Sequence, residues 1–145
     1  MTVTPVTDGE GAVARPDLLA EAERVHRQLR PQLPANYTAR MAQVFANGGR
    51  MAVAEEGGRV LGVCVFRFLE KTYAGREVYC DDLVTDESER SRGAGRAMLE
   101  FLEAAGREHG CRRLSLDSGT HRTSAHRFYF RERMVASAFH FIKDL

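Results

Sequence analysis

The stretch Arg90-Ser91-Arg92-Gly93-Ala94-Gly95 constrains this chain most. It follows a strand-like run, Val78 to Thr85. It opens a helix in which Ala94, Ala97, Met98, Phe101, Leu102 and Ala105 form one wide apolar face. Two glycines around one small residue leave backbone N–H groups unhindered at a helix start. Such a turn binds phosphate through those donors and the positive end of the helix dipole. A Cβ at either glycine would hold the anion away from the main chain. Arg90, Arg92 and Arg96 add positive charge around it. The stretch lacks the third glycine of a dinucleotide fingerprint and the Gly-Lys-Ser/Thr of a Walker loop. Taken alone it reads equally well as a plain loop-to-helix connection, so the surrounding residues decide.

A chain of 145 residues suits one domain with a real core, and residues 1–145 are expected to form one. Net charge is +1, so no global field recruits nucleic acid or a membrane. Basic residues gather between Arg90 and Arg133, but without interleaved aromatics to stack bases. That pattern fits a local anionic ligand better than a nucleic-acid surface. Cys64, Cys80 and Cys111 are scattered and odd in number, which reads as buried thiols in a reducing compartment. No apolar run reaches membrane-spanning length and no signal pattern opens the chain, so a cytoplasmic location is expected. His109, His121, His126 and His140 lack metal-ligand spacing, and no metal is expected.

In chain order, Thr2 to Val6 suits a short first strand. Leu18, Ala22, Val25 and Leu29 then form the stripe of a helix that Pro31 and Pro34 end. Tyr37, Met41, Val44 and Phe45 mark a second helix, closed by Asn47-Gly48-Gly49. The link from Arg30 to Ala39 is either a wall of a site or a simple connection. Met51–Ala54 and Val60–Leu69 read as strands joined through Gly57-Gly58. After the glycine turn and its helix come a short strand, Leu114–Leu116, a helix, Ser124–Arg131, and a closing strand, Val135–Ile142. In that last strand Phe139 and Phe141 share a face that would suit a homodimer contact. One mixed α/β domain is the result.

The order strand, acidic pair, Arg-x-x-Gly-x-Gly, helix, strand, and then Ala125-His126-Arg127-Phe128-Tyr129 on a helix resembles the GCN5-related N-acetyltransferase (GNAT) superfamily. Leu83-Val84-Thr85-Asp86-Glu87 resembles the Leu-x-Val-x-Pro run that precedes the glycine turn in that family. The resemblance implies a central mixed, mostly antiparallel sheet, helices on both faces, and a splay between the fourth and fifth strands. It implies acetyl-CoA as co-substrate. The diphosphate would sit on the amides of Arg90, Ser91, Arg92, Gly93, Ala94, Gly95 and Arg96, and the pantetheine arm along Leu83, Val84 and Thr85. Arg122 stands where the family often has asparagine and is placed to reach a CoA phosphate or an anionic substrate group. The tail from Ala125 is similar to bacterial aminoalkylphosphonate N-acetyltransferases. Tyr79-Cys80-Asp81-Asp82-Leu83 resembles a run of diamine and polyamine acetyltransferases.

The implied reaction moves an acetyl group onto a primary amine of a small molecule by direct attack. Tyr129 matches the family tyrosine that protonates the departing thiolate. The base glutamate of histone and aminoalkylphosphonate acetyltransferases falls at Tyr79 here, so that role does not carry over. Asp81 and Asp82 match the acids of the polyamine enzymes. We expect Asp81 as base, through a water, and Asp82 as its neighbour in amine binding or strand positioning. Adjacent strand residues point to opposite faces, so both can face one acceptor only across a bulge. The pair also predicts a cationic acceptor. Arg133-Met134 replaces the glycine that usually precedes the final aromatic, so either Arg133 makes a turn glycine normally makes or the turn differs. Alternative readings are a non-catalytic acyl-CoA-binding or regulatory domain, a peptide N-terminal or lysine acetyltransferase, and a phosphate-binding module for nucleic acid.

Overall fold

A computed structural model describes residues Met1–Leu145. The elements are β1 (Thr2–Pro5), α1 (Pro16–Leu29), α2 (Tyr37–Ala46), β2 (Arg50–Glu56), β3 (Arg59–Lys71), β4 (Gly75–Thr85), α3 (Ala94–Glu108), β5 (Arg113–Leu116) and α4 (Thr123–Arg131). A single 3-10 turn, Glu87–Glu89, lies between β4 and α3. No helix is long and apolar enough to cross a membrane. The chain forms two compact units, Met1–Ser115 and Leu116–Leu145.

In the first unit the sheet order is β1-β2-β3-β4-β5. The first four strands are antiparallel neighbours, and β5 runs parallel to β4. Parallel neighbours need a crossover, and α3 supplies it. Alternation along β3 sends Val63 and Val65 toward α1 and α2, where they pack with Ala22, Val25, Met41 and Phe45. The other face meets α3: Phe66 lies edge-on to Phe101 at 6.0 Å. The sheet is thus covered by helices on both faces, as the resemblance implies. Cys64 and Cys80 are buried in these strands, and burial pushes the Cys64 thiol up to about 12.

Three helices close in the same way. After α2, Gly48 N–H donates to Phe45 O and Gly49 N–H to Val44 O; after α3, Gly110 and Cys111 repeat the pattern on Arg107 and Gly106. After α4, Arg133 N–H donates to Phe130 O and Met134 N–H to Tyr129 O. This is the Schellman arrangement, which needs a left-handed residue just past the helix. Gly48 and Gly110 adopt it without strain, whereas Arg133 is held at φ 64°. Of the two alternatives for Arg133, the structure has the turn that glycine normally makes. Arg133→Gly should raise stability by about 1 kcal/mol, read as a higher urea midpoint with an unchanged slope.

In the second unit one expectation fails. Val135–Ile142 forms no strand, and no element follows α4. Val135, Phe139, Phe141 and Ile142 are 80–90% exposed. Alternating apolar residues favour a pleated conformation, but a strand also needs a neighbour's ladder of N–H and C=O groups. This segment pairs with none.

Candidate active site

The register of β4 against β3 slips at one place. Val65 pairs with Asp82 but Phe66 with Cys80, so Asp81 is the extra residue of a bulge. Without it Asp81 and Asp82 would point to opposite sides of the sheet. With it, both carboxylates line one cavity of about 470 Å³. The opposite wall is the link from Arg30 to Pro34 together with Arg40, Met41 and Val44 of α2. Arg27 holds that link in place by donating to the carbonyls of Leu33 and Pro34 at 2.6 and 2.7 Å. Of the stretch from Arg30 to Ala39, Arg30, Gln32, Leu33 and Pro34 line this cavity.

The two acids have different environments. Asp82 accepts from Arg30 Nε at 2.6 Å and lies 2.8 Å from His26 Nε2. Burial pushes its carboxyl up, but the hydrogen bonds from His26 and Arg30 outweigh this and hold it below the ordinary value. His26 is itself buried, with Nδ1 2.9 Å from the Tyr37 hydroxyl. Burial of Tyr37 disfavours its phenolate, so that hydroxyl stays protonated. Asp82 is thereby pinned by two residues at the end of α1. Asp81 has one cationic side chain on it, Arg67, whose Nε donates at 2.8 Å. There burial wins over Arg67, and the carboxyl is pushed above its ordinary value. Of the two, Asp81 has the greater proton affinity and the simpler surroundings.

His26, Arg40 and Arg67 escaped the sequence reading; Arg30 entered it only as part of the link from Arg30 to Ala39, and Tyr37 only there and in the second helix. Only His26 carried a signal, since it interrupts the apolar stripe of α1 beside Ala22, Val25 and Leu29.

At the carboxyl end of β4 the sheet edge changes. Arg112 N–H donates to Arg76 O, which sets the start of β5 against the start of β4. β5 has 4 residues and β4 has 11, so β5 accompanies only the first part of its neighbour. Leu83, Val84 and Thr85 lie beyond it, paired to β3 alone through Cys64, Val63 and Gly62. A strand edge of this kind can pair with an amide-bearing chain. Next comes the turn. Ser91 to Gly93 is exposed, Ser91 takes φ 69° and Gly93 takes φ 88°. No side chain caps α3 and no acid lies in its first turn, where Ala94, Gly95 and Arg96 sit. Its leading N–H groups and dipole therefore suit an anion such as the diphosphate of CoA. The arginines contribute unequally. Arg92 is bound to Glu89 and Glu56, and Arg96 to Glu100 at 3.0 Å, whereas Arg90 has no carboxylate partner.

Asp86 fastens this region to α1. Its buried carboxylate accepts from Arg24 at 2.6 Å, from Gln28 at 3.3 Å and from Ser88 N–H at 3.1 Å. Burial opposes ionisation, but these donors prevail and hold the carboxyl well below the usual range. A depressed folded-state pKa stabilises above the unfolded value and is lost as pH falls through the folded one. Asp86→Ala should therefore cost about 2 kcal/mol at neutral pH, with the gap to wild type narrowing below about pH 4. Urea unfolding of both proteins across that range checks the sign.

In the second unit Arg122 precedes α4 as its N-cap, and its backbone N–H donates to Gly119 O at 3.0 Å. Tyr129 lies on α4, half-buried, with its ring 5.4 Å from that of Phe128.

Known proteins share this fold. The chain aligns over 57 residues, at 39% identity, with an uncharacterized N-acetyltransferase of Bacillus subtilis (strain 168), YhdJ; the match takes in 39% of this chain and spans about 40% of that relative's length. An aminoglycoside N-acetyltransferase, AAC(6')-Iy, solved in complex with CoA, superposes with a TM-score of 0.82 at 14% identity, over 99% of this chain and 93% of that one. A ribosomal-protein-alanine N-acetyltransferase from Brucella melitensis biovar Abortus 2308 gives 0.76 at 12% identity over 100% of both chains. An acetyltransferase of Trypanosoma brucei gives 0.75 at 23% identity over 99% and 98%. At these identities the solved structures establish the fold. The model of the acetyltransferase (GNAT) family matches residues 16–134, most of the chain, and this protein therefore belongs to that family.

Proposed function

We propose that this protein transfers the acetyl group of acetyl-CoA to the primary amine of a small molecule bound in the cavity beside Asp81 and Asp82. The observation that carries the reading is the bulge, because it brings two carboxylates of unlike proton affinity into one cavity. A volume of about 470 Å³ falls within the range of small-ligand pockets.

Acetyl-CoA supplies the acetyl group and the thiol leaving group. The rest of the chemistry falls to the chain. The acceptor must arrive at the carbonyl as a neutral amine. Asp81, whose burial favours proton uptake, takes the ammonium proton through a water and passes it to solvent. Asp82, pinned by His26 and Arg30, fixes the strand and receives an N–H of the amine. The C–N bond forms, the C–S bond breaks, the thiolate takes a proton from the hydroxyl that the resemblance assigns to Tyr129, and the second proton lost by the nitrogen restores that hydroxyl. Arg90 and the uncapped start of α3 hold the diphosphate, and Leu83 to Thr85 pair with the pantetheine amides.

The two subfamily likenesses point to acceptors of opposite charge, so neither names the substrate. Small acceptors are separated from protein acceptors by measuring free CoA with primary amines and with peptides ending in a free α-amine. The reading expects release with at least one small amine and none above background with peptides. Release with peptides only would overturn it.

A further inference from the structure

The acidic pair alone predicts a cationic acceptor, but the cavity around it is not acidic. Three guanidinium groups, Arg30, Arg40 and Arg67, share its lining with the two carboxylates. Two of those charges are spent inside the protein, since Arg30 binds Asp82 and Arg67 binds Asp81 at 2.7 Å. The third is surplus. Arg40 pairs with no carboxylate, and its hydrogen-bond partner is the neutral amide of Gln43 at 3.1 Å. His26 is hydrogen-bonded to Asp82 and Tyr37 and adds no negative charge.

Arg40 also sits in the first turn of α2, where no acid is present and the helix dipole is positive. A flexible guanidinium facing a cavity with no internal counter-ion is the usual means of recognising a carboxylate or a phosphonate. A second ammonium placed there would meet an unpaired like charge, and such unpaired charges are how a site rejects the wrong ligand.

Resting on the acetyltransferase reading, we infer that the acceptor is a small amine that also bears an anionic group, a carboxylate or a phosphonate, held by Arg40 while the amine meets Asp81 and Asp82. Arg40 is then the residue that sets acceptor specificity, and the acidic pair serves the nitrogen only.

Four probes of similar length test this: propane-1,3-diamine, 3-aminopropan-1-ol, β-alanine and 2-aminoethylphosphonic acid. Each is titrated calorimetrically into the CoA-loaded protein, so that affinity is read without turnover. The inference expects the better of the two anionic probes to bind at least about tenfold more tightly than the diamine. It also expects Arg40→Gln to remove that preference, with an unchanged melting temperature showing that the variant is folded. Which anionic probe binds better separates a carboxylate acceptor from a phosphonate one. Equal or tighter binding of the diamine overturns the inference, as does a preference that survives Arg40→Gln or a failure of both anionic probes to bind. Turnover is scored separately. Acetylation of the diamine in preference to the acids refutes the anionic acceptor and leaves the transferase reading standing. Binding of the acids without CoA release does the reverse.

Discussion

Replacing Asp81 by asparagine is expected to lower kcat/KM for the acceptor amine by about 10²-fold or more, the range typical for loss of a positioned proton acceptor. Asparagine keeps the size of the side chain and a hydrogen bond to Arg67, so the fold should persist. The acid's role depends on its environment: burial raises its proton affinity although Arg67 lies 2.8 Å away. The substituted amide cannot take the proton, and the reaction would then rely on solvent. The affinity for acetyl-CoA should stay as it is, because Asp81 lies outside Leu83–Thr85 and the glycine turn. Steady-state rates with varied amine at saturating acetyl-CoA give the loss, and calorimetry with CoA gives the control. A loss under about threefold would remove Asp81 from the mechanism. Asp82→Asn has a different signature. It breaks the contacts with His26 and Arg30 that tie β4 to α1, so it should lower the melting temperature as well as the rate.

The second large effect is expected at Tyr129. Tyr129→Phe removes one oxygen and leaves the ring beside Phe128. If the hydroxyl protonates the departing thiolate, kcat should fall by about 10²-fold while KM for the amine changes little. A thiolate leaving group with a pKa of about 8.5 is less demanding than an alkoxide, so the loss should shrink as pH falls and solvent protonation grows easier. Equal rates for Tyr129→Phe and wild type across the pH range would show the hydroxyl to be idle.

The parts of this molecule that were legible in advance are those written in local sequence. The glycine turn, the stripes of α1 and α3, and the Gly57-Gly58 hairpin each depend on neighbours a few residues apart. Asp81 and Asp82 could be named as a pair, but not their common orientation. A bulge is a one-residue slip against the partner strand, and no residue type at Asp81 announces it. The clamp on Asp82 was equally hidden, because Arg30 and His26 come to it across 52 and 56 positions of sequence. That is why the acidic pair alone suggested a cationic acceptor while the assembled cavity carries an extra positive charge at Arg40. The expected strand at Val135–Ile142 failed for the converse reason: its alternation is local, but its partner would have to be elsewhere. Arg133 shows a local rule holding against composition, since the Schellman hydrogen bonds form and the arginine takes the strained φ of 64°.

Direct transfer onto an amine held at the bulged acids is tested most directly with acetyl-CoA labelled with ¹³C at the carbonyl carbon. The protein is mixed with labelled acetyl-CoA and an accepted amine, quenched during turnover, and both the small-molecule product and the intact chain are weighed by mass spectrometry. The account predicts that the label lies in the amide of the product and that the chain keeps its unmodified mass at every time point. Label retained on the protein during turnover, or acetyl-CoA bound with no label leaving it for any amine, would contradict it.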